Sequence, residues 1–320
     1  MRAAVRSSSI FHLVAPLLMI GPGLACGDGG TGPGNDDAGV TIGPIPAGLA
    51  GKVAFVTVHH PAEQSSESRL HVVTMAEQVD RVIYTVRDKF IEGITWAPDG
   101  EHLVVQTFQL HWSDDITEIY STHELRRIDL AGTEDRLLFN HTDPEVHPAY
   151  APDGRLAYFA IGRDGEDSGI YIDGQFFHPM DWDLSCSLAW VPDGSAVVYA
   201  GYEGLMRVSL GDGALTRLIP TDDGATIHGP SVSQPGTQVV YSRWNSASQE
   251  ESIWHAAIDG SQQRRLTDGP ADGLPVWTPG GVFIAFLRSG GIYVVSPEGG
   301  TPQRVIGVGA VPTGPMTWTR

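Results

Sequence analysis

An all-β fold, a six-bladed β-propeller of four-stranded antiparallel blades closed into a ring, is what this sequence predicts, and three observations predict it. A five-residue motif recurs: Trp96-Ala97-Pro98-Asp99-Gly100, Tyr150-Ala151-Pro152-Asp153-Gly154, Trp190-Val191-Pro192-Asp193-Gly194, a degraded Val232-Ser233-Gln234-Pro235-Gly236, and Trp277-Thr278-Pro279-Gly280-Gly281. Counted on the prolines, the intervals are 54, 40, 43 and 44 residues, and Trp277 to Trp318 adds 41. Periods of about 40 to 45 residues are those of propeller blades. Finally, each motif precedes a short apolar run such as Leu103-Val104-Val105 or Val239-Val240-Tyr241, a strand signal, and helical periodicity is hard to find after residue 50.

The motif has a local cause. Proline pre-sets φ at the first corner of a tight turn, Asp hydrogen-bonds its own backbone, and Gly takes the positive φ that closes the turn. Pro-Asp-Gly therefore predicts a hairpin between the first and second strands of a blade. A second glycine turn follows the motif proline by 34, 22, 21, 25 and 21 residues, at Gly132, Gly174, Gly213, Gly260 and Gly300. The long first interval places an insertion in the second blade, around Gln106 to His123. A basic residue before a branched aliphatic marks the strand beyond that turn: Arg81-Val82, Arg136-Leu137, Arg217-Leu218, Arg265-Leu266 and Arg304-Val305.

The ends complete the ring. Lys52-Val53-Ala54-Phe55-Val56 matches the strand after a Pro-Asp-Gly turn, so the first blade lacks its own first strand. Met316-Thr317-Trp318-Thr319 is a first strand with no blade behind it. Pairing the two predicts closure by the C-terminal strand, which removes an open sheet edge and ties the termini by backbone hydrogen bonds.

These Trp/Tyr-x-Pro-Asp-Gly units, each followed by an Ala-Tyr-Phe or Val-Val-Tyr strand, resemble the WD-like repeats of the TolB-type β-propeller family. The resemblance covers roughly residues 50 to 320. It implies the fold, and it leaves function open, because propellers host binding, scaffolding and several catalytic roles.

Residues 1–25 read as an export signal: Arg2 and Arg6, an apolar run from Ile10 to Ile20, then small residues. The run is too short and too interrupted to span a membrane securely. Gly23-Leu24-Ala25-Cys26 resembles the bacterial lipoprotein signal, which implies cleavage before Cys26, lipidation of its sulfur and, with Gly27 next, an outer-membrane destination. Residues 26–47, rich in Gly and Asp, form a spacer with nothing to bury, and residues 48–320 form the propeller. The chain has two cysteines, so a lipidated Cys26 leaves Cys186 as an inert buried thiol.

The 20 basic and 38 acidic residues become 18 and 38 once residues 1–25 are removed, a formal charge of −20. Such a surface disfavours nucleic acid and anionic lipid heads and accommodates basic partners. Its simplest role is solubility.

Chemistry-bearing motifs are sparse. There is no Gly-x-Ser-x-Gly, no phosphate-binding Gly-x-x-x-x-Gly-Lys-Ser/Thr, no His-Glu-x-x-His and no cysteine pair at zinc spacing. Eleven histidines follow the signal, and those at strand-to-loop junctions are the candidate metal ligands: His59 and His60 at the end of a second strand, and His147 and His228 before first strands. Lyases that act on oligouronates use a propeller with a histidine-held metal, which supplies the enzyme alternative. The acidic clusters Asp114-Asp115, Asp164 to Asp167 and Asp222-Asp223 lack EF-hand spacing and read as solvated turns. In the second-blade insertion, Phe108, His111, Trp112 and Tyr120 exceed the aromatic content an exposed loop needs: either the insertion extends the hairpin and packs on itself, or these residues are the candidate partner contacts. The motif aromatics are expected to pack between blades. The reading is an envelope-anchored, monomeric binding module for another protein or an envelope polymer, with no cofactor and no catalysis; a metal-dependent lyase and a purely structural lipoprotein are the alternatives.

Overall fold

The computed structural model describes residues 39–62, 65–112, 119–139, 145–160, 168–180, 187–221, 224–269, 271–309 and 312–319, with backbone alone at 61, 62, 65, 112, 119, 120, 145, 312 and 313. Six antiparallel sheets form the ring. A short strand β1 (Thr41–Ile42) comes first. Blade 1 then joins β2 (Lys52–Ala62), β3 (Ser65–Thr74) and β4 (Val79–Arg87) to the C-terminal strand. Blade 2 is β5 (Phe90–Trp96), β6 (His102–Trp112), β7 (Ile119–Asp129) and β8 (Asp135–Leu137). Blade 3 is β9 (Glu145–Tyr150), β10 (Leu156–Ala160), β11 (Gly169–Ile172) and β12 (Gln175–Pro179). Blade 4 is β13 (Leu188–Trp190), β14 (Ala196–Gly201), β15 (Gly204–Ser209) and β16 (Leu215–Pro220). Blade 5 is β17 (Ala225–Val232), β18 (Gln238–Asn245), β19 (Glu250–Ala257) and β20 (Arg264–Arg265). Blade 6 is β21 (Gly273–Trp277), β22 (Ile284–Arg288), β23 (Gly291–Val295) and β24 (Gln303–Gly307), with β1 added at its outer edge; β25 (Pro312–Trp318) closes the ring as the first strand of blade 1.

Closure follows the expected register: Val53 faces Trp318, Ala54 faces Thr317 and Phe55 faces Met316. The Pro-Asp-Gly turns behave as their chemistry requires. Gly100, Gly154 and Gly194 donate to Ala97, Ala151 and Val191 at 2.9–3.1 Å, each with positive φ. Asp99, Asp153 and Asp193 accept the backbone N–H two residues on, at 2.8–3.1 Å.

The second strands β10 and β14 are buried throughout their length, because a blade is covered on both faces by its neighbours. Outer strands such as β8 and β16 are mostly exposed. First strands of successive blades touch one another right round the ring, so they line the central channel. Each motif tryptophan packs back on the preceding blade: Trp96 against Ala54 and Val56, Trp190 against Ala149 and Ala157, Trp277 against Val240 and Ile253. Trp190 is fully buried and its indole N–H donates to the Ala149 carbonyl at 2.9 Å.

Three expectations change. The spacer does not run to residue 47: Thr41 and Ile42 pair with Gly307 and Ile306, and Val40, Ile42 and Ile45 pack on the core between blades 6 and 1. Two β-compatible residues beside an open edge strand suffice for that, whatever the surrounding Gly/Pro content. The second-blade insertion lengthens its hairpin, one of the two readings the sequence offers, but it is not alone: blade 1 carries an equally long hairpin in β2 and β3, which the repeat count could not register because no motif precedes it. His147 and His228 lie within first strands, not before them, and His59 and His60 lie inside β2, not at its end.

Candidate functional site

One end of the ring carries the Pro-Asp-Gly turns. The other carries the hairpins between second and third strands together with the blade-to-blade connections, and here the blades differ. Strands of 10 or 11 residues raise the hairpins of blades 1 and 2, whereas those of blades 3 and 4 have 4 to 6. At the tip of the blade 4 hairpin, diametrically across the ring from blade 1, Tyr202 is 87% exposed.

Below that face, the channel lining holds a polar cluster. First strands carry bulges, where the register shifts at Glu92, between His228 and Ser231, and beside Leu274. The kinked backbone leaves N–H groups off the ladder, and side chains from the preceding blade take them. Gln106 Oε1 accepts from the His147 N–H at 2.9 Å, Ser187 Oγ from the Gly229 N–H at 2.8 Å, and Ser242 Oγ from the Leu274 N–H at 2.9 Å. His147, Gly229 and Leu274 all have φ between 53° and 60°.

Gln106 does more than cap. Fully buried, it also donates from Nε2 to Glu92 Oε2 and to His123 Nδ1, both at 3.3 Å, and every polar atom of its amide is used. His123, an acceptor at Nδ1, is thereby the neutral tautomer that donates from Nε2 to Ser121 Oγ at 3.2 Å. Burial pushes the Glu92 carboxyl up to about 7 and the His123 and His147 imidazoles down to about 4. Gly93 is glycine because a Cβ would meet Gln106 Oε1 at 2.6 Å and Pro148 Cδ at 2.9 Å.

The expected site residues scatter. His59 Nε2 meets Thr57 Oγ at 2.9 Å; Thr57 also meets His71 Nε2 at 3.0 Å, and His71 Nδ1 meets Asp80 Oδ2 at 3.0 Å. Thr57 is 1% exposed, so this relay orients His59 from inside blade 1 and offers no nucleophile to solvent. His60 is exposed. His147 joins the Gln106 cluster, whereas His228 pairs with Glu251 at 2.6 Å in blade 5. Among the described residues no three His, Cys, Asp or Glu side chains are placed to hold a metal ion.

His111 meets Thr122 Oγ at 3.0 Å on the raised hairpin. Phe108 is a correction: 5% exposed, it packs on Phe90 and His123 with ring centroids 6.2 and 4.9 Å away, so it is a core residue and not a contact for a partner. Two residues further along the same face, Leu110 is 38% exposed. Cys26, Cys186, the side chains of Trp112 and Tyr120, and the three acidic clusters lie outside the described residues. Glu92, Gln106 and His123 were missed. The available signal was repeat phase: Glu92 stands four residues before Trp96, as His228 stands four before Val232.

No family model matches the chain. The uncharacterized protein Atu1656 of Agrobacterium fabrum is 24% identical over 242 residues, 70% of this chain and 74% of that protein. TolB from Acinetobacter baumannii superimposes with a TM-score of 0.68 at 17% identity, over 86% of this chain and 68% of its own. The fold is the one that TolB structures share. A putative TolB from Agrobacterium tumefaciens agrees, with a TM-score of 0.58 at 18% identity over 85% of this chain and 98% of its own. Among the described residues no helix is long and apolar enough to cross a membrane.

Proposed function

We propose that this protein is a binding module of the bacterial cell envelope, exported by residues 1–25, held to the membrane through a lipid on Cys26, and acting on another protein or an envelope polymer without catalysis of its own. The observation that carries the reading is the asymmetry of one propeller face: raised hairpins on blades 1 and 2, and the 87% exposed Tyr202 opposite. A rigid ring that holds exposed apolar groups at its rim and a channel mouth between them is built to hold a ligand by complementarity. The likeness to TolB structures agrees with a propeller that presents its loops to partners, and the excess of acidic residues favours a partner with basic groups.

Photo-cross-linking in intact cells tests it. A photoreactive residue at Tyr202 or Leu110 is expected to give one discrete adduct, and the same residue at Leu215 on an outer strand to give none. Equal labelling from all three positions would sink the reading. For the anchor, Cys26→Ser is expected to release the protein from the membrane fraction; undiminished retention would remove that part of the proposal.

A further inference from the structure

We propose that the channel lining between blades 2 and 3 binds a primary ammonium group, that of a lysine side chain on a protein partner, with the Glu92 carboxylate as its counter-ion and the His147 imidazole as a second acceptor. This rests on the reading of the protein as a binding module and gives its channel a ligand chemistry.

The geometry specifies the group. Glu92 is a bulge residue of β5, half-buried in the channel lining, and its one partner among the described residues is Gln106 Nε2 on Oε2. No cation among the described residues reaches it. A carboxylate in that position lacks the charge partner that buried acids ordinarily have. His123 cannot fill the role, because both of its ring nitrogens are committed, to Gln106 and to Ser121. The His147 ring has no partner among the described residues, and its backbone is fixed by the bond to Gln106 Oε1. Gln106 is fully buried with every polar atom used, so Glu92 and His147 are held on either side of a group that cannot turn away.

Lysine fits better than arginine. With Oε2 taken by Gln106, one carboxylate oxygen is open, and a guanidinium fork needs two, whereas an ammonium is a compact point charge with three rotatable donors on a thin stem. The excess of 38 acidic over 20 basic residues raises the local concentration of such a ligand.

Titration of the purified protein with N-acetyl-lysine amide, followed by NMR or calorimetry, tests the site. At pH 8 the amide is expected to bind at millimolar strength or better, and its Nε-acetylated form to show at least tenfold weaker binding. Glu92→Gln is expected to weaken the amine at least tenfold while its thermal midpoint does not fall, and His147→Asn, which tolerates the same backbone, to weaken it less. Because Glu92 takes up a proton below about pH 7, binding should fade as pH drops from 8 to 5.5. Equal binding of the acetylated form, or an unchanged affinity in folded Glu92→Gln, would overturn the proposal. Glucosamine binding as tightly as the lysine amide would overturn the assignment to a protein and point to an amino-sugar polymer. Failure here leaves the Tyr202 cross-link standing, and failure of that cross-link leaves the amine titration intact, so the two readings fall separately.

Discussion

The side-chain oxygen of Gln106 accepts the backbone N–H of His147 at 2.9 Å, and this one bond sews the second strand of blade 2 to the bulged first strand of blade 3. The same amide serves Glu92 and His123. Gln106→Met keeps the length of the side chain and removes all three partners at once. A buried group left without its hydrogen bond costs about 1–3 kcal/mol, so a loss of roughly 3 kcal/mol or more is expected in denaturant unfolding. A loss below about 1 kcal/mol would mean that the cluster relaxes to water and that Gln106 is no hub.

The cluster makes stability depend on pH in opposing directions. Glu92 rises from an ordinary 4.5 to about 7, so the folded state holds its proton more tightly than the unfolded chain does. Its contribution is whole below about pH 4.5 and is lost as pH rises to about 7. His123 and His147 fall from 6.5 to about 4; theirs is whole above 6.5 and lost as pH falls to about 4. Glu92→Gln should therefore stabilise the protein at pH 8, by up to roughly 3 kcal/mol, and leave it unchanged at pH 4. Unfolding curves at the two pH values measure this; a destabilised variant at pH 8 would show that the Glu92 charge is already neutralised in the free protein.

The architecture was legible because its turns demand particular residues. Positive φ at Gly100, Gly154, Gly194 and Gly260 leaves little choice but glycine, and the prolines and aspartates beside them repeat with the blades. Ring closure was readable for the same reason, from Trp318 standing where a motif tryptophan belongs. The polar cluster was not legible. Glu92, Gln106, His123 and His147 come from four strands, and what joins them is a pair of β-bulges, in β5 and β9, the second of which frees a His147 N–H whose need for a partner no local pattern announces. Phe108 misled because aromatic content says nothing about depth: Phe108 and Leu110 share one face of β6, and that face passes from buried to exposed as the hairpin rises out of the ring.

Trp190 is the fully buried representative of the motif aromatics, with its indole N–H on the Ala149 carbonyl and the Arg155 guanidinium 4.8 Å above its ring. Arg155 also donates to the Gly194 carbonyl at 2.9 Å, so blades 3 and 4 are joined on both sides of this ring. Trp190→Ala is expected to cost roughly 3–5 kcal/mol, as truncation of a buried aromatic does. Trp190→Phe keeps most of the area and frees the carbonyl, for roughly 1–2 kcal/mol. If the two variants melt together, the indole hydrogen bond rather than the packing dominates.

His255 offers the converse test, a substitution that should improve the fold. It is 5% exposed between blades 5 and 6, its ring lies edge-on to Trp277 at 6.2 Å, and neither ring nitrogen has a hydrogen-bond partner among the described residues. Burial, together with the Arg264 charge, holds its proton affinity below the ordinary histidine value, so its contribution is whole above about pH 6.5 and is lost as pH falls. Replacing it by leucine removes two unsatisfied nitrogens and keeps an apolar side chain against Trp277. The expected gain is about 1 kcal/mol at pH 7, and it should widen toward pH 5 because leucine cannot take up the proton that the buried ring resists. Thermal unfolding of His255→Leu at both pH values decides it. A loss at pH 7 would show that the imidazole is hydrogen-bonded in solution, with a bound water as its partner.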